Sequence, residues 1–183
     1  GKKYIVLRAP TGAGKSWIAK TVANSSKEID PYLRSMIENG QAFEFNGNSG
    51  EYIYADTFNN AEEFGASILT VSKQLQEQYN NDFDDIVVMK GKGNYVCEVD
   101  FSFMCDFAPC HMNSSLLADC KLHKKCPFLN QRELAAKSKI TTFNYASFFA
   151  FPKHLRRREY IIFDEATELE KQGQDRFFKT MGL

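Results

Sequence analysis

No stretch of about eighteen consecutive apolar residues occurs in this chain, so no segment is expected to cross a membrane as a helix. The N-terminus, "GKKYIVLRAPTG", lacks a signal-peptide cleavage pattern, and nothing else suggests secretion. Net charge is absent too: 23 Lys and Arg balance 23 Asp and Glu. Neutrality removes the argument for nucleic acid that a basic total would make. It excludes nothing, because a local patch binds phosphate inside a neutral chain. Internal repeats and low-complexity tracts are missing as well. Cysteine is missing everywhere but in one segment, and all five lie between Cys97 and Cys126. In a protein that stays in the cytoplasm, clustered thiols more often bind metal or do redox work than form structural disulfides.

What is present is enough apolar residue for a real core. The 183 residues, 43% of them hydrophobic, suit one domain with an insertion. "YIVLRAP" (4–10) predicts a buried strand, and "KSWIAKTVANS" has the spacing of a helix. "DPYLRSMIENG" predicts a second helix, with Asp30 as N-cap, Pro31 in the first turn and Gly40 as the stop. "AFEFNGNSGEYIYA" alternates on both sides of a Gly/Asn-rich turn, which signals a hairpin. Residues 24–66 are read as a local elaboration. "ASILTVS" (66–72), "DIVVMKG" (85–91), "ITTFNY" and "REYIIFDEA" (158–166) predict further strands. "KQLQEQYNND", "NQRELAAKSKI" and "ASFFAF", the last stopping at Pro152, predict the helices between them. Apolar strands separated by helices point to an α/β fold, a mostly parallel sheet covered on both faces. The basic run "KHLRRRE" reads equally as a solvated connector or a nucleic-acid contact.

"APTGAGKS" (9–16) fits the phosphate-loop pattern, with Ala9 in place of the usual first glycine. Along Thr11, Gly12, Ala13 and Gly14 the backbone can curl so that N–H groups point at phosphate oxygens. The following helix adds its positive end. Lys15 would meet the β- and γ-phosphates, and the Ser16 hydroxyl would ligate Mg²⁺. "IIFDEAT" (161–167) is the natural partner, an apolar strand delivering Asp164 and Glu165 to its carboxyl end. Asp164 would hold Mg²⁺ through water, and Glu165 would orient or deprotonate the attacking water. Together the two motifs predict hydrolysis of a nucleoside triphosphate, ATP in the first place.

The ordered set "APTGAGKS", "TVSKQLQEQ", "KGKGNYVC", "APC…C…CPF", "TTFNYASFF" and "DEAT" resembles the superfamily 2 helicases of the XPD/DinG type. The resemblance implies a RecA-like motor domain over residues 1–92 and 131–183, interrupted by a 4Fe–4S insertion over 93–130. It implies Cys97, after Asn-Tyr, and Cys126, before Pro-Phe, as first and last ligands, with Cys110 and Cys120 between and Cys105 spare. Cys105 remains the alternative to Cys110. By count, four thiolates suit iron–sulfur or zinc equally. Spacings of 12, 9 and 5 intervening residues do not match the paired C-x₂-C of common zinc sites, although His111 and His123 could complete a mixed one. In the family the stapled insertion sits over the DNA path and helps to separate strands. Thr70 and Ser72 would then meet a DNA phosphate or, as an ordinary alternative, cap a helix. Asn144 and Tyr145 would lie near the nucleic-acid face, while Phe148 and Phe149 read as core. Lys90, Lys92, Lys121, Lys124 and Lys125 are candidates for backbone-phosphate contacts.

The resemblance further implies an ATP-dependent 5′–3′ DNA helicase, a monomer acting on single-stranded or forked DNA in the cytoplasm of a bacterium or encoded by a phage. A repair enzyme or exonuclease on the same motor is a close variant. Such a motor needs a second RecA-like domain of the same protein to supply arginine fingers, and no such strand series follows "DEAT". By itself the chain is therefore expected to bind nucleotide weakly and not to unwind DNA. The rival reading is a zinc-stabilised nucleic-acid-binding module whose phosphate loop only senses nucleotide.

Overall fold

The computed structural model describes residues 5, 6, 8, 10, 12–39, 43–46, 51–54, 62–111, 113, 115, 116, 120, 126–151 and 156–166. Two helices lead, α1 (Lys15–Asn24) and α2 (Pro31–Glu38), followed by the strands β1 (Phe43–Asn46) and β2 (Glu51–Tyr54). β3 (Ala66–Thr70), α3 (Lys73–Asp82) and β4 (Ile86–Val88) come next. After the cysteine segment stand α4 (Pro127–Lys137), β5 (Ile140–Asn144), α5 (Tyr145–Ala150) and β6 (Tyr160–Phe163).

The expected α/β architecture is present. β4, β5, β3 and β6 form, in that order, a four-stranded sheet in which every pairing is parallel. β3 lies inside it and is buried along its whole length, as a strand covered on both faces must be. Alternation along the strands sorts the core into two layers. Ala66 and Ile68 of β3 and Ile140 of β5 face α1 and α3, packing with Ala19, Ala23, Tyr79 and Phe83. Leu69 and Phe143 face the other way, onto Leu33 and Ile37 of α2, Phe128 and Ala135 of α4, and Phe148 of α5.

The helix boundaries have local causes. Asp30 Oδ1 accepts the N–H groups of Tyr32 and Leu33 at 2.9 and 3.2 Å, and Pro31 takes the first turn, where no donor is needed. Ser72 Oγ caps α3 by accepting from Leu75 N–H at 3.2 Å. Asn144 Oδ1 caps α5 by accepting from Ser147 N–H at 2.7 Å. The expected hairpin is also found, antiparallel from Phe43 opposite Tyr54 to Asn46 opposite Glu51. Gly40 lies outside the described residues.

One expected strand is corrected. Of "YIVLRAP", residues 5, 6, 8 and 10 are described and none is in a strand, with Ile5 and Val6 94% and 85% exposed. An apolar run becomes a strand only when a neighbouring edge accepts its ladder. Both sides of β3 and β5 are taken, and neither β4 nor β6 pairs with this run.

The basic run resolves in part toward structure. Arg158 is buried, its guanidinium donating to the carbonyls of Ser138 and Ala135 and lying 5.0 Å from the Phe64 ring centroid. Beside it Gly65 has φ 67°, and a Cβ there would come within 2.6 Å of the Lys139 carbonyl oxygen. Gly65→Ala is therefore expected to lower stability by about 1–3 kcal/mol, measured by urea unfolding. An unchanged midpoint would mean that the Gly65–Lys139–Arg158 junction yields. No helix among the described residues is long and apolar enough to cross a membrane.

Candidate functional site

The loop before α1 turns tightly, with Ala13 N–H donating to the Pro10 carbonyl at 3.2 Å. Gly12 and Gly14 take φ 81° and 75°, in the left-handed region. Nothing lies within 4 Å of a Cβ at either position, so backbone conformation and not crowding calls for glycine. Gly14 occupies the N-cap position of α1 and brings no side chain there. Lys15 Nζ reaches back to the Pro10 carbonyl at 3.3 Å. Thr11 lies outside the described residues, and Ala13 is exposed.

α1 is fixed against the sheet by Ala19 and Ala23, by the Trp17 ring edge-on to Phe83 at 4.8 Å, and by Lys20, which donates to Asp85 and to Asn24 at 2.8 Å. That placement brings the Ser16 side chain near the Tyr79 phenol of α3. The Tyr79 hydroxyl donates to Asp164 Oδ2 at 2.9 Å. Asp164 sits just past β6, is buried, and extends the ladder by donating its N–H to the Leu69 carbonyl at 2.9 Å. The Tyr145 hydroxyl donates to the Asp164 carbonyl at 2.6 Å. Burial first, and then the Asp164 carboxylate, push both phenols well above the ordinary tyrosine range, so each keeps its proton to donate. Glu165 is exposed and holds φ 58°, alone among the described non-glycine residues. The described members of the two sequence motifs thus approach one another through Tyr79, which the sequence did not single out. Its signal was weak: one aromatic three residues after Gln76 on a polar helix, both buried.

The cysteines converge. Cys97 N–H donates to the Phe103 carbonyl at 2.9 Å and Cys105 N–H to the Tyr95 carbonyl at 2.8 Å, around a Val96–Met104 antiparallel bridge. In this register Cys97 and Cys105 share one face of a small hairpin. Tyr95 anchors the segment edge-on to Phe128 at 5.7 Å. Gly93 permits close approach, since a Cβ there would meet Asp106 Oδ2 at 2.7 Å. Cys126 is the N-cap residue of α4. The Phe128 N–H bonds the Cys105 sulfur, and the Cys105 and Cys126 thiols bond each other. All five cysteines, Cys97, Cys105, Cys110, Cys120 and Cys126, line one cavity with Ala108 and Pro127, and none forms a disulfide. Cys105 is as much part of that wall as the four thiols expected as ligands. Among the described residues, no three His, Cys, Asp or Glu side chains stand in an arrangement that holds one metal ion. The cavity gathers thiols without closing them into a ligand set. Glu98 also lines it, and the sulfur-rich set of donors fits a thiol-seeking centre.

Burial, and then the Cys126 charge, push Cys105 from 9.0 up to about 12; the same causes raise Cys110. Folded, these thiols keep protons that the unfolded chain releases. The fold binds more protons, so the reduced, metal-free chain is expected to be fully stable below pH 9.0 and to weaken as pH rises from there toward 12. Urea midpoints measured from pH 7 to 10 under reducing conditions check this, and a midpoint rising with pH would contradict it.

The expected nucleic-acid contacts fare unevenly. Tyr145 is 2% exposed, and its hydroxyl donates to the Asp164 carbonyl at 2.6 Å, so its side chain is turned inward. Asn144 and Ser72 are helix caps, and Thr70 is buried, donating to the Ser72 carbonyl at 3.1 Å. Phe148 is core, and Phe149 packs edge-on against it at 5.4 Å. Lys90 pairs with Glu77, and Lys92 Nζ lies 5.5 Å from the Phe128 centroid. Lys121, His123, Lys124 and Lys125 fall outside the described residues. Comparison with protein-family models, with curated proteins and with solved structures finds no match to this chain.

Proposed function

We propose that this chain is the first, RecA-like motor domain of an ATP-dependent DNA helicase of the XPD/DinG type, carrying an iron–sulfur insertion. What supports this best is the nearness of Ser16, from the phosphate loop, to the phenol that donates to Asp164 at the acidic strand end. A glycine-rich turn alone is common. A turn whose Ser approaches a buried Asp at the carboxyl end of a parallel sheet suits a Mg²⁺–triphosphate site.

In this site Lys15 would bring its charge to the β- and γ-phosphates, and the N–H groups from Gly12 to Ser16 would face their oxygens. Ser16 and Asp164 would hold Mg²⁺. Glu165, exposed beside Asp164, would orient the attacking water and take its proton. Transition-state charge would need an arginine from a second RecA-like domain, so efficient turnover and unwinding belong to the two-domain protein. Cys97, Cys110, Cys120 and Cys126 would hold the 4Fe–4S cluster, with Cys105 as the alternative to Cys110. The cluster, once bound, would staple the segment, contributing folding free energy and no redox chemistry.

The test is nucleotide binding by the chain itself. ATP is expected to bind more tightly with Mg²⁺ than with EDTA, and indifference to Mg²⁺ would count against the site. Elemental analysis of anaerobically purified protein separates iron from zinc. Zinc, with no DNA-stimulated hydrolysis in the two-domain protein, would favour a zinc-stabilised binding module.

A further inference from the structure

We infer that Tyr79 is a positioning residue of the nucleotide site, orienting the Asp164 carboxylate for the cation that accompanies a triphosphate. This rests on the proposed function and adds to it a residue in neither of the two motifs. Tyr79 lies on α3 and is wholly buried. Its ring packs with Phe83 at 5.9 Å, a task phenylalanine would perform equally. The hydroxyl is what distinguishes it, and its bond goes to an expected cation ligand, Asp164.

The chemistry of a carboxylate ligand explains the arrangement. A carboxylate that coordinates a cation must hold its oxygens in a fixed orientation, and a donor on one of them fixes it. The Tyr79 hydroxyl donates its proton to Asp164 Oδ2 at 2.9 Å. The phenol engages only one carboxylate oxygen, and Tyr145 holds the Asp164 backbone from the other side at 2.6 Å. A carboxylate this buried needs such donors in place before a cation arrives. Tyr79 thus holds the strand-end carboxylate in place from α3.

Tyr79→Phe in the full chain, titrated with a fluorescent ATP analogue, tests this. In Mg²⁺ the variant is expected to bind about tenfold more weakly than wild type, and in EDTA equally well. Asp164→Ala should remove the difference between Tyr and Phe at this position, since both act on one ligand set. An equal loss in both buffers, no loss in either, or a variant that unfolds outright would overturn the inference, by assigning the hydroxyl to the fold. A wild-type chain indifferent to Mg²⁺ would instead remove the proposed function, without recourse to any variant.

Discussion

On the function proposed above, Lys15→Ala in a two-domain protein is expected to reduce DNA-stimulated ATP hydrolysis by at least about a hundredfold, leaving the thermal midpoint nearly unchanged. The first half follows from charge. Lys15 stands at the first position of α1, behind a loop with left-handed glycines at 12 and 14. In a triphosphate site it is the side chain able to bring a full positive charge to the β- and γ-oxygens, where negative charge develops. The second half follows from where Lys15 lies. Its ammonium bonds the Pro10 carbonyl at 3.3 Å in an exposed contact, and exposed polar contacts of this kind contribute little to stability. Rates and melting curves measured together separate the effects. Full activity in the variant would mean that the loop does not hold a triphosphate.

The second large effect concerns the cysteine cavity. If the proposed cluster is held as argued, serine at Cys97, Cys110, Cys120 or Cys126 is expected to release most of the metal, and the cysteine segment with it. Loss of a structural metal site removes folding free energy on the order of several kcal/mol. Cys105→Ser is expected to retain the metal, because serine still offers an acceptor to the Phe128 N–H that now bonds the Cys105 sulfur. Metal content per chain after anaerobic purification reads this directly, and limited proteolysis across 97–126 reports the segment's order. The Cys105 variant is the discriminating one. Cys105 is 4% exposed and shares a hairpin face with Cys97, whereas Cys110 stands in a short helical turn, Pro109–His111, and is only partly buried. Metal loss on Cys105→Ser with retention on Cys110→Ser would exchange the two in the ligand set.

Much of the architecture was legible because its causes are local. Asp30 before Pro31 specifies a helix start through one carboxylate and one missing donor. Continuous apolar runs such as "ASILT" specify strands buried on both faces, and the glycines of "TGAGKS" specify a left-handed turn. "YIVLRAP" has the same local signature as those strands, yet its described residues lie outside the sheet. Strand formation needs a partner edge, and no stretch of sequence states whether one is vacant. Tyr145 shows the same limit in a side chain. Its place beside Asn144 is read from the sequence, but its direction is set by packing against Phe163 at 6.1 Å and by the nearby Asp164 carbonyl.

By itself, then, the sequence determined the α/β class, the glycine turn with Lys15 and Ser16, the acidic strand end and the confinement of every thiol to one segment. Only the tertiary structure decided that Tyr79 bonds Asp164, that Tyr145 is buried, and that Cys105 lines the same cavity as the other four cysteines. The reason is physical. Turns, caps and apolar periodicity depend on neighbours within a few residues. The Tyr79–Asp164 bond joins positions 85 apart, and such contacts exist only once the sheet has brought its strand ends together.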